Sequence, residues 1–136
     1  MLSPTYFHRI YRLSAFYDLV LSAPFAVLPG ALAVTWVLNA ISAALGLEPI
    51  PPLDPLGMMY ANFFGTVVTI WSLLRLKLDQ PWLARWDAVG RILFSLAMVL
   101  ALARGATPIL WPILAIEMTW GVLQLLPVRG RSWPKP

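Results

Sequence analysis

The chain has 136 residues, of which 60% are hydrophobic and only 12% charged, and its mean hydropathy is +0.74. That balance excludes a water-soluble domain of this length and points to an all-α integral membrane protein, a single transmembrane domain over residues 1–136 with room for about four spans of ~20 residues. With no cysteine and one histidine, His8, the chain cannot form disulfides, a thiolate nucleophile, an iron–sulfur cluster or a multi-His metal site, so neither cofactor nor metal is expected. The net charge of +4 lies beside apolar stretches and forms no continuous basic face, which favours lipid headgroups over nucleic acid as partner.

The first 17 residues, MLSPTYFHRIYRLSAFY, are too polar and aromatic for the apolar centre of a signal peptide. Phe7, Ile10, Leu13 or Ser14, and Tyr17 recur at helical spacing, so residues 4–21 are expected as an interfacial helix with its tyrosines at headgroup depth. A first span follows over residues 23–45, with Ser22 as cap, Pro24 in the first turn, Pro29-Gly30 inside it, and a kink between Phe25 and Gly30. The four prolines of LEPIPPLDP, residues 47–55, make a stiff connector.

The second span covers residues 56–76. Gly57, Ala61, Gly65 and Thr69 leave a groove along one face for close helix packing. Gln80-Pro81 starts the next helix, with Asp79 near the positive end of its dipole, and Trp82 and Trp86 suit the headgroup region. The third span, residues 88–104, carries a second line of small residues, Ala97, Ala101 and Gly105, and ends at that glycine. Pro108 opens the fourth span, residues 108–126, and the basic tail VRGRSWPKP is expected to be unstructured.

Nine basic residues, Arg9, Arg12, Arg75, Lys77, Arg85, Arg91, Arg129, Arg131 and Lys135, fall on one side of this four-span arrangement and only Arg104 on the other, which puts both termini in the cytoplasm. Glu48 and Asp54 then face the opposite compartment.

Two polar sets are candidates for function. Glu117 sits midway along the fourth span, where a lone charge costs at least ~2.5–3.5 kcal/mol and must be protonated or paired. Gly121 leaves room beside it, Gln124 continues its face, and Asn62 and Asn39 are candidate partners; Arg104 would have to reach downwards. Asp18, Arg75, Asp87 and Arg91 form a second set on the cytoplasmic side, able to close a charge network between helices or to bind a lipid phosphate; ordinary charges at helix ends are the plainer alternative. The tryptophans at 36, 71, 111 and 120 suit belt or packing roles better than an aromatic cage. No nucleotide loop, nucleophile elbow or zinc signature is present, and the serines lack a histidine at matching depth, so a serine hydrolase is not expected and a membrane enzyme modifying a lipid is only a third alternative.

Asp54-Pro55-Leu56, Asn62, Gly65, Trp71, Arg75, Asp87, Arg91 and Glu117, together with the size and boundary charges, resemble the small bacterial inner-membrane proteins grouped around the DoxX-like families. The resemblance implies a four-helix bundle and, for some relatives, association with quinone-linked redox complexes. Small multidrug transporters are similar in size with one essential membrane glutamate, but theirs is in the first helix and Glu117 is in the fourth. The expectation is a multi-pass protein of the bacterial inner membrane, a homo-oligomer or part of a larger complex. It would act as an accessory or binding subunit whose Glu117 and charge network engage a partner, a lipid, a quinone or another small ligand. The alternative is a proton-coupled or cation-binding small oligomeric transporter using Glu117.

Overall fold

The computed structural model describes residues 1–129. These residues form five α-helices, α1 (Pro4–Ser22), α2 (Leu28–Ala44), α3 (Pro55–Leu78), α4 (Leu83–Ala103) and α5 (Leu110–Leu125), and a 3-10 turn over Ala23–Ala26. Their starts follow local chemistry. Ser3 caps α1 by accepting from the Tyr6 amide at 3.2 Å, and Asp54 caps α3 by accepting from the Gly57 amide at 2.6 Å, each with a proline next in line. α4 closes through Gly105, whose φ of 89° lies in the left-handed region that a side chain rarely occupies.

The stretch 23–45 breaks within residues 25–30, where the kink is expected, but as a sharp bend between two helices. α1 runs on to Ser22, the 3-10 turn follows, Val27 is extended, and α2 leaves at a bend of 112°. Two prolines account for the break. Pro24 supplies no amide to the α1 ladder, and in a continuous helix the Pro29 ring would collide with the Phe25 carbonyl. The turn is held by the groove predicted on α3: a Cβ on Gly65 would lie 2.5 Å from the Ala26 nitrogen and 2.6 Å from Phe25 Cβ, so the backbones meet there because Gly65 has no side chain. The groove takes this turn rather than a straight helix. Ser22 Oγ and Thr69 Oγ1 approach to 3.5 Å just beyond it.

α1 covers the segment expected as an interfacial helix, and it packs along α3, burying Phe7, Ile10, Tyr11, Ser14 and Ala15. Leu2 bridges to Val128, with the Leu2 amide donating to the Pro127 carbonyl at 2.8 Å and the Arg129 amide to the Leu2 carbonyl at 2.9 Å. Phe7, Tyr11, Leu83, Ala84 and Val128 form an apolar cluster beneath that bridge. The start of α1, the end of α5 and the α3–α4 turn therefore share one end of the molecule. Val128 and Arg129 are thus paired, contrary to the expected loose tail; residues 130–136 lie outside the described residues.

Asp79 does not start α4. It terminates α3 in a left-handed conformation, φ 49°, with its carboxylate 2.8 Å from His8 Nε2 and 3.5 Å from Arg12. α4 begins at Leu83, five residues before the expected span, and its first half buries Ala84, Asp87, Ala88 and Arg91. The line Ala97, Ala101 and Gly105 is not a packing face, because Ala97 and Gly105 are exposed.

Among the described residues two helices are long and apolar enough to cross a membrane: α3, 24 residues with mean hydropathy 1.3, and α4, 21 residues with mean hydropathy 1.7. The bent pair of α1 and α2 makes a third if it counts as one span, while α5 has 16 residues, about 24 Å at 1.5 Å per residue. The distribution of side chains matches. Phe63, Val67, Ile70, Leu93, Leu96 and Leu100 point outwards, whereas Arg75, Asp87, Arg91 and Glu117 are buried. In water this arrangement would expose an apolar surface far beyond what a soluble monomer carries.

Candidate functional site

The site is built from four helices at the level where α1, α3, α4 and α5 meet. From α1 come Tyr11, Ser14 and Asp18, spaced so that all three share a face; α3 gives Trp71 and Arg75, α4 gives Asp87 and Arg91, and α5 gives Glu117 and Gln124.

Arg75 is fully buried and sits in the last turn of α3. Its Nη1 donates to Asp18 Oδ2 and to Asp87 Oδ1, both at 2.7 Å, and its Nη2 to Ser14 Oγ and to the Tyr11 carbonyl. Tyr11 returns the contact, its hydroxyl donating to the Arg75 carbonyl at 2.8 Å while the guanidinium lies 5.4 Å from its ring centre. That carbonyl also accepts from the Asp79 amide at 3.1 Å, so Tyr11 adds a second donor there and fastens α1 to the last turn of α3.

Arg91 is the hub. Its Nε donates to Asp87 Oδ2 at 3.0 Å, its Nη1 to Glu117 Oε2 at 2.7 Å and its Nη2 to Asp18 Oδ2 at 2.6 Å. One planar cation thus joins carboxylates on α1, α4 and α5, a task the fixed fork of a guanidinium performs and a single ammonium does not. Gly121 makes the approach of α5 to α4 close, since a Cβ there would sit 3.6 Å from Arg91 Cβ.

The three acids are satisfied unequally. Asp87 accepts four donors, Trp71 Nε1 at 2.9 Å and Arg75 on one oxygen, Arg91 and Gln124 Nε2 on the other. Gln124 also donates to Ser14 Oγ at 2.8 Å. Its amide orientation is fixed by Asp87, because the reverse rotamer would set carbonyl against carboxylate; this leaves Gln124 Oε1 buried without a donor. By contrast, the bonds to Asp18 all fall on Oδ2 and the bond to Glu117 on Oε2, so Asp18 Oδ1 and Glu117 Oε1 receive no donor. Among the described residues, two guanidiniums face three carboxylates, one negative charge in excess.

The two polar sets read from sequence are therefore one. Asp18, Arg75, Asp87, Arg91, Glu117 and Gln124 converge, and Arg75 and Arg91 are interior partners rather than charges at a membrane surface. Asn39 and Asn62 are not part of it. Asn39 grips the connector, accepting from the Ile50 amide at 2.7 Å and donating to the Ile50 carbonyl at 3.3 Å, far along the chain from the network. Asn62 is half-buried on α3 and makes no bond to Glu117. Arg104 is exposed beyond the end of α4 and does not meet the carboxylate. Ser14, Tyr11 and Trp71 were not singled out as site residues, although Ser14 stands four residues before Asp18 and Trp71 four before Arg75, the helical spacing that places them on the same faces.

A groove of about 270 Å³ opens between α4 and α5 beside this network. Arg91 and Glu117 are among its lining residues, and Leu96, Val99, Met118 and Val122 form apolar walls. A second groove, about 430 Å³ and bordered by Tyr17, Ile116 and Trp120, runs between α1 and α5 without touching the paired charges. Among the described residues no group of three or more His, Cys, Asp or Glu side chains is placed to hold a metal ion. No protein-family model, curated protein or solved structure matches the chain.

Proposed function

We propose that this is a multi-pass protein of the bacterial inner membrane that serves as a binding subunit, taking a small amphipathic molecule in the groove between α4 and α5. The observation that carries this reading is that Arg91 and Glu117 are the network residues lining that groove. A bundle held together by charge alone would seal those residues from the lipid side. Pairing Arg91 with carboxylates on three helices also makes the groove sensitive to anything that draws on Glu117, which links occupancy to helix packing.

Both termini are proposed to be cytoplasmic. Arg9, Arg12, Lys77, Arg85 and Arg129 gather at the end that carries Leu2 and Val128, against Arg104 at the other, where Glu48 and Asp54 lie. Assembly into a homo-oligomer or a larger membrane complex belongs to the same proposal. The DoxX-like resemblance adds the expectation of a redox partner.

Purification in mild detergent followed by identification of bound lipids, small molecules and proteins tests the binding reading. The native protein should carry a small molecule in defined ratio that Glu117→Gln carries in reduced amount; equal content in both, or none in either, contradicts it. A proton-coupled or cation-binding carrier is the second reading, favoured by the excess negative charge of the network. Proton-linked uptake into vesicles that vanishes in Glu117→Gln while assembly is unchanged would select it.

A further inference from the structure

The charge count of the network restricts what the groove can hold. Two guanidiniums against three carboxylates leave one negative charge uncompensated among the described residues, in surroundings where a bare charge is expensive. Asp87, with four donors, has no room for another cation or proton. The excess therefore resides on Asp18 and Glu117, which share Arg91 and each keep one oxygen without a donor. The other titratable groups beside them are Tyr11 and Tyr17 on α1; α3 contributes Arg75, and α4 contributes Asp87 and Arg91. None supplies the missing positive charge. A proton on one of those two carboxyls would balance the network when the groove is empty.

Resting on the groove as binding site, we propose that its occupant is an apolar molecule with a single positive charge, and that binding it displaces this proton. The walls suit an apolar body, and Glu117, the acid with a free oxygen that lines the groove, suits the cationic end. An anion is disfavoured, since it would add to the negative charge already in excess. The exchange balances: the carboxyl O–H breaks, the proton leaves to solvent, and the incoming charge takes its place.

The test uses the full chain in detergent with three probes of similar size: phenyltrimethylammonium, its neutral isostere tert-butylbenzene, and benzenesulfonate. Binding is measured by equilibrium dialysis against protein-free micelles, and proton release by an indicator dye in weak buffer. The cation should bind on the order of tenfold more tightly than the isostere, with about one proton released per cation bound in this exchange. Glu117→Gln, which keeps an acceptor for Arg91 but removes the excess charge, should abolish the release and the preference. Gly121→Leu, which fills the groove without altering the number of charges, should block all three probes. Should the isostere or the anion bind as well as the cation, or the cation bind without proton release, the charge inference is overturned and the groove reading stands. Should no probe bind, or Gly121→Leu bind like the native protein, the groove reading falls and the inference with it.

Discussion

Replacing Arg91 with methionine is the most informative single change, because the side chain is one cation shared by three acids. Methionine keeps the unbranched stem and its packing against Gly121 but removes all three charge-assisted bonds, at 2.6, 2.7 and 3.0 Å. Arg75 remains for Asp18 and Asp87, so Glu117 is the acid left with no cation. Breaking a buried pair by deleting one partner costs about 3–5 kcal/mol, a shift on the order of a hundred- to several-thousand-fold in the folding equilibrium. Titration with a denaturing detergent, followed by the fluorescence of the 7 tryptophans, measures that difference. The loss should shrink as pH falls, because a protonated carboxyl no longer needs the guanidinium, and adding Glu117→Gln to the same chain should recover part of it. Stability within about 1 kcal/mol of the native protein at neutral pH would refute the hub, since a single hydrogen bond to a charged group contributes about 1.5–3 kcal/mol.

Other substitutions probe the frame around the site. Gly65→Ala would press a methyl into the Phe25–Ala26 backbone and should cost about 1–3 kcal/mol, whereas Gly90→Ala, with open space around its Cβ, should be neutral or stabilise α4 by up to about 1 kcal/mol; thermal unfolding of the pair in detergent separates the two. Asn39→Ala removes both bonds to Ile50 and should raise cleavage of the connector in limited proteolysis without altering probe binding in the groove. Asp54→Ala should lower stability by about 1 kcal/mol through loss of the α3 cap, measurable in the same detergent titration.

Helices were readable from apolar runs and their punctuation. The stretch 56–76 falls within α3, and 108–126 encloses α5. The helix start at Gln80-Pro81 is legible and lies close to Leu83; that Asp87 and Arg91 face partners on other helices is not, because charges near the end of a span look like boundary charges. The same assumption split the site into two levels. Glu117 was assigned a depth from the length of its own helix, and sequence carries no register between α4 and α5. Asn39 was proposed for the interior by depth, but the 112° bend after α1 carries α2 away from the network. Ser14 and Trp71 occupy positions that helical spacing from Asp18 and Arg75 could have nominated, whereas the role of Tyr11, fastening a carbonyl at the end of α3, depends on a contact between helices that no local pattern encodes.

The central claim is that an apolar exterior facing lipid encloses a charged interior. Because the chain has no cysteine, single cysteines at the outward-facing Val67 and Leu96 can carry spin labels in reconstituted bilayers, where collision with oxygen and with a water-soluble nickel complex reports the surroundings. High oxygen and low nickel accessibility at both positions is the predicted result; nickel accessibility like that of a loop exposed to water would contradict the account.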